Sequence, residues 1–170
     1  MARLVVLAGL PGSGKSTVAR ALARRTGALW LRIDSVEAAM RRSHMVTPDL
    51  ADGGYAAARA VAGNALEQGF DVVADCVNPV AHTRQDWRAV AVAREVPHWG
   101  IEFRCPDPVE HRRRVESRQA EFPGQRLPSW EEVLARRYEP WDGAIVIDTA
   151  LLSPEAAAER IIGSTGWVYG

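Results

Sequence analysis

Gly9-Leu10-Pro11-Gly12-Ser13-Gly14-Lys15-Ser16 is the stretch from which the rest of the chain is read. It fits the pattern of Gly, four residues, then Gly-Lys-Ser. An apolar run, residues 4–8, precedes it, and an amphipathic segment, residues 15–26, follows. A strand, a glycine-rich turn and a helix are therefore expected in that order. Glycines let the backbone take positive φ and approach a phosphate without a Cβ clash. The N–H groups then converge as a nest at the positive end of the helix. Gly12, Ser13, Gly14, Lys15, Ser16 and Thr17 are the expected phosphate cradle. Lys15 reaches the terminal phosphates as a compact charge, and the Ser16 hydroxyl is suited to Mg²⁺.

Composition sharpens this reading. The chain has 170 residues with 21 basic and 21 acidic side chains. Of the basic residues 20 are Arg, and the single Lys is Lys15. Arg does not replace Lys inside a tight phosphate nest. The guanine-reading Asn-Lys-x-Asp motif of GTPases needs a second lysine, so it is excluded. At 47% hydrophobic and 25% charged residues, the chain is globular rather than disordered. Its length fits one domain, residues 1–170. Zero net charge gives no general attraction to nucleic acid or acidic membranes. Cys76 and Cys105 do not make a disulfide framework. No apolar run reaches the roughly 20 residues of a membrane span, and no cleavable leader is apparent. A cytoplasmic location is expected.

Outward from the loop, short apolar runs alternate with longer amphipathic segments. Strands are expected at 4–8, 29–33, 72–74, 98–104 and 144–147. Helices are expected at 15–26, 34–42, 52–68, 80–94, 108–118, 130–138 and 154–162. This alternation implies a parallel sheet covered on both faces, a three-layer α/β/α architecture. Asp107 before Pro108, Ser129 before Glu132, and Ser153 before Pro154 are helix caps. Residues 43–54, with Pro48 and paired glycines, read as a loop beside a site.

Candidate site residues follow from the ends of the strands, where ligands of open α/β sheets bind. Asp34 follows the second strand. It can take the proton of an attacking hydroxyl, or cap a helix with Glu37 at the third position. Asp75 ends the run Val72-Val73-Ala74, the pattern of a carboxylate that holds Mg²⁺. Asn78 is either a substrate contact or the cap of the next helix. Arg112, Arg113, Arg114 and Arg118 lie on one expected helix, with Arg114 and Arg118 on one face. Arg126 lies in the polar loop that follows. Together they suggest a lid at about 112–128 that closes over a nucleotide. Arg41, Arg42, Arg59 and Arg84 are further candidates on the acceptor side, each equally readable as surface charge. The six tryptophans form no cluster and read as packing residues.

In this order, these features resemble the small P-loop kinases that phosphorylate hydroxyl groups. That group includes gluconate and shikimate kinases, chloramphenicol phosphotransferase and polynucleotide kinases. The segments "GLPGSGKST" (9–17), "VVADCVNPV" (72–80), "RVESR" (114–118) and "VIDT" (146–149) carry the likeness over nearly the whole chain. It implies a five-stranded parallel sheet of order 2-3-1-4-5, with ATP and Mg²⁺ as cofactors. It also implies Asp34 as catalytic base, Arg114 against the adenine and Arg118 on the transferring phosphate. One departure stands out. Polynucleotide kinases of the phage type carry an arginine three residues after the base, where this chain has Glu37. A carboxylate there would repel a phosphodiester strand.

The expectation is therefore an ATP-dependent phosphotransferase acting on a hydroxyl of a small molecule. Lys15, Asp34 and Arg118 would be catalytic, and Ser16 and Asp75 would hold the metal. A polynucleotide 5′-hydroxyl kinase and a regulatory nucleotide-binding ATPase are the alternatives. The chain leaves no room for the extra helical domain of AAA+ motor ATPases. The acceptor and the choice between monomer and homodimer are not legible in the sequence.

Overall fold

The computed structural model describes residues 1–44 and 49–167. Twelve elements follow one another as β1 (Leu4–Ala8), α1 (Lys15–Thr26), β2 (Leu29–Arg32), α2 (Ile33–Arg41), α3 (Gly53–Glu67), β3 (Val72–Asp75), α4 (Ala81–Val92), β4 (His98–Arg104), α5 (Pro108–Glu116), α6 (Trp130–Ala135), β5 (Ile145–Asp148) and α7 (Pro154–Thr165). The five strands form one parallel sheet of order β2-β3-β1-β4-β5. This is the expected three-layer P-loop NTPase fold with strand order 2-3-1-4-5.

Alternation along the strands builds two cores. Val5, Leu7, Val73, Ile101, Phe103 and Ile147 face α1 and α7 and pack with Val18, Leu22 and Ile161. Leu4, Val6, Leu31, Val72 and Ala74 face the other way, against Ala58, Ala62, Leu66 and Trp87 of α3 and α4. The central strands are apolar throughout because both faces are covered. Fully burying a residue such as Leu7 or Ile101 contributes about 1.5–3 kcal/mol.

The caps form largely as expected. Asp107 Oδ1 accepts from the N–H groups of Val109 and Glu110, Ser129 and Glu132 make a reciprocal capping box, and Ser153 accepts from Ala156. Two expectations need correction. Asp34 does not cap α2: the helix begins one residue earlier, the cap position falls on Arg32, and Asp34 lies in the first turn. Nor does Asn78 cap α4, whose cap position is Val80. Asn78 is fully buried at φ 45°. Its side-chain amide donates to the Leu7 carbonyl, and its own carbonyl accepts from Arg84.

Helix α5 ends at Glu116, so Arg118 lies beyond the helix rather than on it. Residues 117–129 form a connection that folds back over α2, where Gly124 meets the side chain of Arg42. Of the loop expected at 43–54, positions 45–48 lie outside the described residues.

Candidate active site

The turn between β1 and α1 is fixed by geometry that only glycine tolerates well. Gly12 and Gly14 both have φ of +82°, in the left-handed region that costs other residues about 1–2 kcal/mol. A Cβ at Gly12 would come within 2.6 Å of Val115, and one at Gly14 within 3.3 Å of Thr149. The turn is tied from three sides. Gly9 N–H donates to the Val77 carbonyl at 3.1 Å. The Thr149 hydroxyl donates to the Ser13 carbonyl at 2.8 Å. His111 Nε2 lies 2.8 Å from the Pro11 carbonyl, with the imidazole edge-on to Trp130. The turn therefore keeps a fixed concave shape at the N-terminus of α1, the electropositive end of that helix.

A cavity of about 470 Å³ opens above it. Its floor is Gly12, Ser13, Gly14, Lys15, Ser16 and Thr17, all six of the expected cradle residues. One wall is Ile33, Asp34, Glu37, Arg41, Tyr55, Cys76 and Val77. The facing wall includes Arg114, Ser117, Arg118, Glu121 and Arg126. A second depression on the far side of Gly14 runs along Thr17, Val18, Arg114 and 149–154. Arg114 lines both hollows.

Asp75 lies beneath the floor, 2% exposed. Its Oδ1 is 3.8 Å from the Lys15 ammonium, and its Oδ2 accepts from the Trp30 indole N–H at 3.2 Å. Arg32 stands directly opposite Asp75 in the β2–β3 pairing. Burial alone would lower the pKa of Arg32. The Glu121 carboxylate, backed by Asp75 and Asp34, reverses that effect and raises it. The two Arg32 terminal nitrogens each donate to a Glu121 oxygen, at 2.9 and 3.0 Å. Arg20 adds a further bond to Glu121 at 2.8 Å. These donors, Arg32 foremost, hold the Glu121 carboxyl below the usual carboxylate range.

Asp34 is half-buried and faces the cavity. Among the described residues its carboxylate makes no hydrogen bond and no ion pair. Glu37, one turn along α2, pairs with Arg41 at 3.1 Å and packs against Gly54, where a Cβ would strike it. The Tyr55 hydroxyl accepts from the Asn78 N–H. Burial, with the Cys76, Glu37 and Asp34 groups around it, raises the pKa of Tyr55 and keeps the phenol protonated.

The expected arginines separate into two sets. Arg118 and Arg126 line the cavity, and Arg126 pairs with Glu132. Arg114 donates to both the hydroxyl and the carbonyl of Thr149. Arg112 and Arg113 turn outward to Glu116 and Glu110. Their neighbour Glu110, bonded to Arg113 and Arg114, titrates at about 2. On the acceptor side only Arg41 reaches the cavity. Arg59 pairs with Asp86, and Arg42 lies along Gly124. Arg84 is buried; it donates to the carbonyls of Asn78, Glu139 and Pro140 and stacks on Tyr138 and Trp141. It ties α4 to the segment after β3 and to residues 138–141, and is withdrawn from any substrate.

The donor set suits Mg²⁺ of the kind carried by a nucleotide. Among the described residues no group of three or more His, Cys, Asp or Glu gathers at one point. One hydroxyl and one carboxylate beside a phosphate cradle match an ion that keeps waters and phosphate oxygens as ligands. Ser16 and Asp75 are the residues that would hold it.

Trp30, His111 and Glu121 surround this site, and sequence reasoning gave none of them a role there; Thr149 lies in the segment 146–149 that the resemblance singled out. Period-two alternation does put Trp30 and Arg32 on one face of β2, but nothing in the sequence says that Asp75 is their neighbour.

Comparison with known proteins agrees with this architecture. The model of the AAA domain family matches residues 4–140. A sugar kinase from Janibacter sp. HTCC2649 is 21% identical with a TM-score of 0.69, covering 99% of this chain and 96% of its own. The APS kinase CysC of Mycobacterium tuberculosis, solved with AMPPNP and APS, is 20% identical with a TM-score of 0.67, covering 95% and 96%. Chaetomium thermophilum Kti12, solved with ADP-AlF3, is 19% identical with a TM-score of 0.65, covering 95% and 98%. No curated protein matches the chain. No helix among the described residues is long and apolar enough to cross a membrane.

Proposed function

The chain belongs to the AAA domain family, and from that premise we propose that it is an ATP-dependent kinase that transfers the γ-phosphate to a hydroxyl of a small molecule. The observation that carries this reading is Asp34. Its carboxylate, without a hydrogen bond or ion pair among the described residues, faces the same cavity as the phosphate cradle and the Arg118 guanidinium. A nucleotide switch without an acceptor has no acceptor hydroxyl for such a base to deprotonate.

In the proposed reaction the loop N–H groups and Lys15 hold the β- and γ-phosphates. Arg114, between the two hollows, borders the nucleotide. Asp34 orients the acceptor hydroxyl and takes its proton as the oxygen attacks the γ-phosphorus. The bond from that phosphorus to the β–γ bridging oxygen breaks, and ADP leaves. Arg118 faces the charge that spreads over the transferring oxygens. Magnesium, when bound to Ser16 and Asp75, neutralises phosphate charge. Residues 112–128 act as the lid of a single kinase domain, with Arg126 at its rim. Arg112 and Arg113, turned to solvent, take no part.

Glu37 supports a small acceptor over a polynucleotide. Its carboxylate, one turn from Asp34 and paired with Arg41, stands at the position where polynucleotide kinases of the phage type carry a phosphate-holding arginine. A screen of ATP consumption against sugars, aminoglycoside-like compounds, nucleosides and oligonucleotides tests the proposal. Stimulation by one small hydroxyl compound, with formation of its phosphate ester, is the expected result. Labelling of an oligonucleotide with a steep salt dependence would redirect it to a 5′-hydroxyl kinase. Slow hydrolysis indifferent to every acceptor would redirect it to a regulatory ATPase.

A further inference from the structure

Building on the kinase reading above, we propose that Trp30 is a positioning residue for the Asp75 carboxylate, and that Glu121 of the lid keeps Arg32 from competing for it. The two Asp75 oxygens have different neighbours. Oδ2 is held by the Trp30 indole N–H at 3.2 Å, and Oδ1 faces the Lys15 ammonium at 3.8 Å. With Asp75 only 2% exposed, solvent does not set its plane. The indole N–H does, and it leaves Oδ1 toward the phosphate side.

Trp30 is itself held in place by charge. The guanidinium carbons of Arg20 and Arg32 lie 5.3 and 5.6 Å from its ring centroid, within reach of the ring's negative face. Both arginines converge on Glu121, which arrives from the connection after α5. Phe122, the next residue, packs its ring 5.1 Å from Arg32.

This arrangement is an exchange of partners. The Arg32 side chain is 8% exposed, and its Nε already lacks a hydrogen-bond partner. If the lid opens, Glu121 leaves and a buried cation is stranded. The carboxylates that remain around it are Asp75, directly across the sheet, and Asp34. Those are the proposed metal ligand and the proposed base. Lid closure therefore does more than exclude water: Glu121 takes up Arg32 and leaves both carboxylates free for their work.

Calorimetric binding of ATP with and without Mg²⁺ tests this in the wild type, Trp30→Phe, Glu121→Gln and the double variant. Phe keeps the ring and its cationic neighbours and loses only the N–H. Metal-free ATP binding should stay within about twofold of wild type, while the strengthening by Mg²⁺ falls about tenfold, as for loss of one hydrogen bond to a charged group. Glu121→Gln should shift the Mg²⁺ effect in the same direction by less. The double variant should fall short of the product of the two.

An unchanged Mg²⁺ effect in Trp30→Phe overturns the positioning role, as does an equal loss of binding with and without metal. Effects that multiply independently overturn the link to Glu121. If Trp30→Phe fails to fold, Glu121→Gln, an exterior change, still decides: an unaltered Mg²⁺ effect there overturns the proposal. Wild-type protein that binds no ATP at all would instead sink the kinase reading, which keeps the two failures apart.

Discussion

His111 Nε2 sits 2.8 Å from the carbonyl oxygen of Pro11, so the apex of the phosphate loop is fastened to α5, the helix that leads into the proposed lid. The ring is buried between the loop and Trp130. His111→Phe keeps the ring and removes the bond. It should destabilise the fold by about 1–2 kcal/mol, the cost of a buried carbonyl left without its donor, and weaken ATP binding. A urea melt and a nucleotide titration check the two effects. Undiminished ATP affinity would mean that the loop holds its shape without this tie.

Asp34 faces the cavity with no hydrogen bond or ion pair among the described residues, and a positioned base contributes about 10²–10⁴-fold in rate. Asp34→Asn should lose turnover on that scale and bind ATP as before. Lys15→Ala should weaken both binding and turnover. Steady-state rates measured with the acceptor that the screen identifies, beside ATP titrations, separate the two. Full turnover in Asp34→Asn would reduce that residue to part of the cavity wall.

Gly12 combines positive φ with a Cβ position 2.6 Å from Val115. Gly12→Ala should cost about 1–2 kcal/mol from the backbone conformation, with a further penalty as Val115 is displaced. ATP binding should fall with it, because the N–H groups that face the phosphate move. A thermal melt paired with calorimetry would show this, and a wild-type profile would mean that the turn relaxes freely.

Glu121 has a lowered pKa in the folded state, chiefly through its bonds to Arg32. A lowered carboxyl pKa gives stability that is present above the unfolded value, about 4.3, and lost as pH falls through the folded one. The melting advantage of wild type over Glu121→Gln should therefore persist at pH 6 and 7 and fade below about pH 4. A difference that is constant across this range would show that the carboxylate charge is not what holds the 117–129 connection against Arg32.

Most of the site floor is legible in the sequence, because the nest, its lysine and its hydroxyl are contiguous and local backbone physics shapes them. The same holds for the caps at Asp107, Ser129 and Ser153, whose partners lie within three residues. For Asp34 and Asn78 the capping alternative falls away for the opposite reason. A carboxylate or an amide near a helix start suggests a cap, but Arg32 takes the cap position of α2, and the Asn78 amide finds the Leu7 carbonyl 71 positions earlier in the chain. Arg84 reads as a possible substrate contact until burial shows it satisfied by three carbonyls.

The sequence by itself determined the alternation of strands and helices, the phosphate loop and the two strand-end carboxylates, since each depends on hydrophobic period or on neighbours along the chain. Only the tertiary structure decided which arginines look inward, that Trp30 touches Asp75, and that Glu121 claims Arg20 and Arg32. Those pairings span 45 to 101 positions of chain. They arise because parallel pairing sets β2 beside β3 and the connection after α5 brings Glu121 back to α1 and β2, and no local rule carries that information. The lone lysine had its place from sequence, whereas its neighbour Asp75 meets the Trp30 indole, and Arg32 the Glu121 carboxylate, only through the fold.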